Sequence, residues 1–82
     1  MNAAEIRFEG ELYLTLETVA EVYAVKRVWL ERACAEGLLG APREHGGQLC
    51  VAAVELDRVA RLVRLHAHLG LELEAIAAVW EE

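Results

Sequence analysis

TLETVAEVYAVKRVWLERACAEGLL, residues 15–39, holds two short apolar runs at helical spacing with a tight connection between them. Thr15 stands at a helix N-cap, where its hydroxyl accepts the orphan N–H three residues on. Leu16, Val19, Ala20 and Val22 follow at helical spacing. The pattern breaks near Tyr23-Ala24 and resumes with Val25, Val28, Leu30, Ala33 and Cys34. Gly37 falls where a helix end needs a left-handed residue, and Leu38 closes the apolar contact behind it. The reading is two helices of about 7 and 11 residues, a helix-turn-helix unit over about 15–38. Helices this short are unstable alone in water, so each must bury its stripe against the rest of the chain.

Upstream, EIRFEGELYL alternates in part, with Gly10 as an interruption. That predicts one short edge strand within about 5–14. Downstream, Gly40 and Pro42 punctuate the exit from the second helix, and Glu44-His45-Gly46-Gly47-Gln48 reads as a hairpin tip. A hairpin over about 39–51, directly after a helix-turn-helix, reads as a wing. VELDRVARLVRLHAHL continues as an amphipathic helix over about 54–69, stopped by Gly70, with Arg58, Arg61 and Arg64 turned outward. A last helix spans about 72–80, and the acidic end Glu81-Glu82 is expected to fray. The expected fold is a mostly α, single winged helix-turn-helix domain over residues 1–82, with a small hairpin wing and a possible N-terminal strand. Its expected core contains Leu16, Val19, Val25, Leu30, Cys34, Leu38, Leu62, Leu65, Leu69 and Ile76.

Eighty-two residues suffice for one domain with one modest core. Fourteen acidic residues against 8 basic ones give a formal charge of −6. A general nucleic-acid binder needs the opposite balance to displace counterions, so a basic protein partner suits the chain better. Cys34 and Cys50 have no metal-ligand spacing and read as small buried hydrophobes. His66 and His68 point to different helix faces and read as solvated or rim histidines. No nucleotide-binding, metalloprotease or nucleophile–base pattern is present, so no enzyme activity, cofactor or metal is expected. No basic-then-apolar leader opens the chain, and no apolar run reaches membrane-spanning length. Cytoplasm is the expected location.

The order of elements resembles the N-terminal domain of MerR-type proteins. Leu-Thr-Leu-Glu-Thr-Val-Ala at 14–20 is similar to the family's opening, and Glu-Gly-Leu-Leu at 36–39 to its helix-to-wing junction. His-Leu-Gly-Leu-Glu-Leu-Glu-Ala-Ile at 68–76 resembles its Leu-Gly-hydrophobic signature. DNA-reading members carry an Arg-Tyr-Tyr run in the second helix, where this chain has Glu31, Arg32 and Ala33. The long dimerisation helix of such regulators has no counterpart after Val79.

Small acidic relatives of that fold fit these departures: the CbpM family and DafA-type assembly factors, which modulate the Hsp70–Hsp40 chaperone system. Ala-Pro-Arg-Glu at 41–44 resembles the Pro-Arg-Glu that follows the second helix in CbpM. Arg-Leu-Val-Arg-Leu-His-Ala-His-Leu-Gly-Leu at 61–71 resembles a helix of the same family. The resemblance implies a chaperone modulator that binds a J-domain co-chaperone (Hsp40), Hsp70 or both, as a monomer or weak homodimer. The alternative is a MerR-like DNA-binding regulator or excisionase-type factor using Lys26, Arg27, Arg32 and Arg43.

Partner contact is expected on the outward side of the second helix. The buried stripe leaves Val28 and Trp29 as surplus apolar residues, with Glu31, Arg32 and Glu36 around them. A tryptophan rimmed by charges has the composition of a binding hot spot. The competing reading folds Trp29 back onto the wing or the N-terminal strand, where it covers a thin core.

Overall fold

The computed structural model describes residues 5–80, so Glu81-Glu82 lies outside it. The chain runs β1 (Glu5–Phe8), β2 (Glu11–Thr15), α1 (Leu16–Tyr23), α2 (Arg27–Ala35), β3 (Arg43–His45) and β4 (Gln48–Ala52). It continues through a short 3-10 turn, Ala53–Glu55, into α3 (Leu56–Leu69) and α4 (Leu73–Val79). The four strands form one antiparallel sheet in the order β1-β2-β4-β3.

That sheet overturns the expected fold class. The domain is α/β, with four helices against a four-stranded curled sheet, rather than mostly α with an appended wing. The segment expected to supply one edge strand is a complete hairpin. Glu9 and Gly10 form its two-residue turn, with φ of 51° and 86°. Both central residues of a type I′ turn need positive φ. Glu9 meets that need at a steric cost, and a Glu-Gly pair is not the usual signal for such a turn. The β3–β4 hairpin is present, turned by Gly46 and Gly47. It does not project as a wing: β4 pairs with β2, Leu14 opposite Val51, and becomes an interior strand.

Strand parity divides the sheet into two faces. Directly opposed residues of an antiparallel pair lie on the same face. Leu14, Val51 and Leu49 therefore share the face that packs on the helices. The main core there joins Leu16, Val19 and Ala20 of α1 to Leu30 and Ala33 of α2. Leu38, Leu39, Val59, Leu62, Leu73 and Ile76 complete it. Tyr13, Thr15, Cys50 and Arg43 belong to the opposite face. Tyr13 and Cys50 are buried, yet they lie outside the helical core.

The sheet is strongly curled. Three strand spacings of about 4.8 Å would set the two edge strands roughly 14 Å apart in a flat sheet. Yet the Phe8 ring of edge strand β1 lies 5.7 Å from the His45 ring of edge strand β3. The side chains converge across the concave face.

Local signals explain the helix ends. Thr15 Oγ1 accepts from the Thr18 N–H at 3.2 Å and starts α1. Ala24 ends it in the left-handed region at φ 58°, with the Val25 N–H donating to the Ala20 carbonyl at 3.0 Å. The Leu38 N–H donates to the Ala33 carbonyl at 3.0 Å behind Gly37 and closes α2. Gly40 sits in the left-handed region at φ 77°, which favours glycine, and the end of the Glu55 side chain packs against it. The Glu55 carboxylate in turn pairs with Arg58 Nε at 2.9 Å.

Several expected core positions need correction. Leu69 is 66% exposed, because α3 ends at Gly70 and the chain turns to bury Leu73 and Ile76 instead. Val25, Cys34 and Leu65 are only partly buried at the core's margin. Val22, in the apolar run expected for α1, faces out.

Candidate functional site

A groove of about 310 Å³ opens between the start of α1, one side of α2 and the β3–β4 hairpin. Leu16 and Glu17 contribute from α1, Arg27 and Glu31 from α2, and Glu44, Gly47, Gln48 and Leu49 from the hairpin. Each is placed by a local rule. The Thr15 cap sets the first turn of α1 and with it Glu17. Arg27 and Glu31 stand one turn apart on α2, with Arg27 Nε 3.4 Å from a Glu31 carboxylate oxygen. Glu44 pairs with Leu49 across the hairpin, which puts both on the helix-facing side of the sheet.

Three carboxylates line the groove against one guanidinium, and that guanidinium is already paired with Glu31. Leu16 and Leu49 supply apolar surface between them. Such a groove accepts a cationic side chain on a partly apolar stem.

The residues singled out from sequence are dispersed over three sides of α2. Glu31 and Arg27 face the groove. Val28, Arg32 and Glu36 are exposed and follow one another at four-residue spacing, so they form an outward stripe beside it. Trp29 turns the other way. Its ring centroid lies 4.9 Å from that of His66 on α3, it packs against the core, and its buried indole N–H has no hydrogen-bond partner among the described residues. The expectation of an outward tryptophan anchor is therefore corrected: Trp29 covers the core against α3, not against the hairpin or the N-terminal strand.

His66 is also more than a rim residue. Its Nδ1 lies 2.8 Å from the Leu71 carbonyl oxygen, tying the end of α3 to the connection before α4. Together Trp29, His66, Ala24, Val25, Lys26 and Ala67 line a second, more open cleft of about 690 Å³.

The four cations considered for nucleic acid do not form one stripe. Lys26 lines the cleft beside Trp29, and Arg27 is paired inside the acidic groove. Arg32 is exposed on the outward stripe. Arg43 lies on the far face of the sheet, 5.1 Å from the centroid of Phe8 and 6.0 Å from that of Tyr13.

Sequence reasoning missed Glu17 and Glu44 as parts of a site. Glu17 reads as an ordinary first-turn acid and Glu44 as a hairpin residue. Nothing local to either signals that the sheet brings them together.

Neither cysteine is placed for chemistry. Burial pushes the Cys50 thiol up, and it donates weakly to the Gln48 carbonyl at 3.7 Å. Burial, with a smaller push from the Glu31 carboxylate, also raises Cys34. Among the described residues no helix is long and apolar enough to cross a membrane.

No protein-family model matches the chain, nor does any curated protein or any solved structure.

Proposed function

We propose that this protein is a cytoplasmic binding module that takes a basic segment of a protein partner into the groove between α1, α2 and the β3–β4 hairpin. The observation that carries the reading is the groove's charge: Glu17, Glu31 and Glu44 converge from three elements around Leu16 and Leu49. Complementary charge steers encounter and fixes register, and the chain's net charge of −6 acts in the same direction. The segments at 41–44 and 61–71 that resemble CbpM support a J-domain co-chaperone, Hsp70 or both as the partner. The role is then to modulate their complex by inhibition or assembly, with no chemistry of its own.

The test is a titration of the J-domain co-chaperone from the same source against the parent chain and the Glu17→Lys/Glu44→Lys double variant. Both positions are exposed, so the variant should melt close to the parent. Association should slow by about tenfold or more at low salt, with a smaller change in dissociation. Unchanged association would remove the groove from the reading. A palindromic DNA site recovered by selection and bound at nanomolar affinity would replace the protein partner altogether.

A further inference from the structure

The face of the sheet turned away from the helices carries a second arrangement, independent of the acidic groove. Phe8 from β1 and Tyr13 from β2 meet edge to face, with centroids 4.9 Å apart and planes at 87°. The His45 ring from β3 approaches Phe8 at 78°. The Arg43 guanidinium lies over both aromatic rings, at 5.1 Å and 6.0 Å from their centroids. Among the described residues no carboxylate lies within ion-pair distance of it. Glu11 sits on the same face opposite Phe8 without pairing with it, and Glu44 points to the other face.

An arginine in this state is prepared for an anion. Contact with the rings holds the side chain in place, while its planar fork of N–H donors has no acceptor among the described residues. That fork matches a carboxylate in bidentate geometry. The exposed side of β3 adds a second element. β3 is an edge strand, bonded to β4 on one side and, among the described residues, to no strand on the other. An extended peptide can lie along such an edge and present alternate side chains to one face.

We propose that this face is a second binding site, which takes an extended, carboxylate-bearing peptide along the edge of β3, with one acidic side chain held by Arg43. A peptide carboxylate fits better than a nucleic-acid backbone. The cluster holds one arginine, and the chain around it is strongly acidic, so a polyanion would meet net repulsion.

The experiment is an amide NMR titration of the whole chain. The probe is a capped, extended peptide with a single Glu among Val and Thr residues, compared with its Lys-for-Glu analogue, inorganic phosphate and a single-stranded oligonucleotide. The acidic peptide should give saturable shifts at Phe8, Tyr13, Arg43, Glu44 and His45, and the lysine analogue none at Phe8, Tyr13 or Arg43. Arg43→Gln should weaken binding by about tenfold or more while the spectrum stays folded, since a charge-assisted pair is lost. Arg43→Lys, which keeps the charge without the fork, should fall between the two. Phe8→Leu should weaken binding through the loss of the surface that holds Arg43. The proposal is overturned if the acidic peptide produces no saturable shifts. It is equally overturned if Arg43→Gln and Arg43→Lys both bind like the parent, or if phosphate or the oligonucleotide saturates these positions at lower concentration. Because Glu17 and Glu44 are intact in all these variants, co-chaperone binding at the groove is read separately.

Discussion

Glu9 and Ala24 are the two non-glycine residues with positive φ among those described. A side chain in the left-handed region costs roughly 1–2 kcal/mol. Glu9 is tolerated because the hairpin turn requires it, and Ala24 because it ends α1. Both should be improvable. Glu9→Asn and Ala24→Gly are each expected to raise stability by about 0.5–1 kcal/mol, the latter net of glycine's greater freedom when unfolded. Urea denaturation of each variant checks this; a loss at either would mean that its backbone is not left-handed. The two thiols give a pH dependence. Burial raises both above their ordinary value in the folded chain. Below about pH 8.5 the thiols are protonated folded or unfolded, so this contribution is fully present. As pH rises, the unfolded chain ionises first and binds fewer protons, so stability falls toward the folded thiols' higher range. Urea midpoints between about pH 7 and pH 10 should therefore decline more steeply for the parent than for Cys34→Ala/Cys50→Ala. Equal slopes would show that the thiols do not contribute.

At the scale of one element, α2 distributes work among three sides. One side lends Leu30 and Ala33 to the core, the next offers Arg27 and Glu31 to the groove, and Trp29 leans on His66. Truncations should follow this division. Leu30→Ala, at a fully buried site, is expected to cost about 2–5 kcal/mol. Leu65→Ala, at the margin of the core, should cost about 1–2 kcal/mol, because less apolar area is lost. Leu69→Ala should stay within about 0.5 kcal/mol, as exposed positions do. The order Leu30, Leu65, Leu69 in measured unfolding free energy is the check, and a costly Leu69→Ala would contradict the end of α3 described above. Trp29→Ala belongs to the same series. It removes a ring that caps the core and should cost about 1–3 kcal/mol, below the loss for a fully buried tryptophan. A Trp29→Ala chain that melts like the parent would return this residue to the surface.

Across the whole molecule the two faces of the sheet carry opposite electrostatic offers. The helix-facing side frames an acidic groove at its rim, and the concave side holds Arg43 over aromatic rings. The groove and the net charge of −6 act together on a basic partner. Raising ionic strength from about 0.05 M to 0.5 M should then slow association by about tenfold or more, with little effect on dissociation. Stopped-flow or surface-based kinetics would show it. Salt-independent association would place the partner on the apolar cleft beside Trp29, where charge contributes less.

The chain's local patterns determined most of its elements. Thr15 as a cap, the break at Tyr23-Ala24, Gly37 and Gly70 as stops, and the Gly46-Gly47 turn act through neighbours within a few residues, so they can be read in order along the sequence. The burial of Leu16, Val19, Leu30, Leu62 and Ile76 follows from helical spacing in the same way. What tertiary structure alone decided is how the strands join. Leu14 opposite Val51 is a pairing across many residues, and no local rule distinguishes a free hairpin from one stitched into a sheet. That pairing turned the expected wing into half of a four-stranded sheet. Its curl brought Phe8 to His45 and Arg43, and its helix-facing side set Glu44 beside Glu17 and Glu31. Trp29 shows the same limit within one helix: spacing placed it near an exposed side, but only the position of α3 decided that it would cover the core.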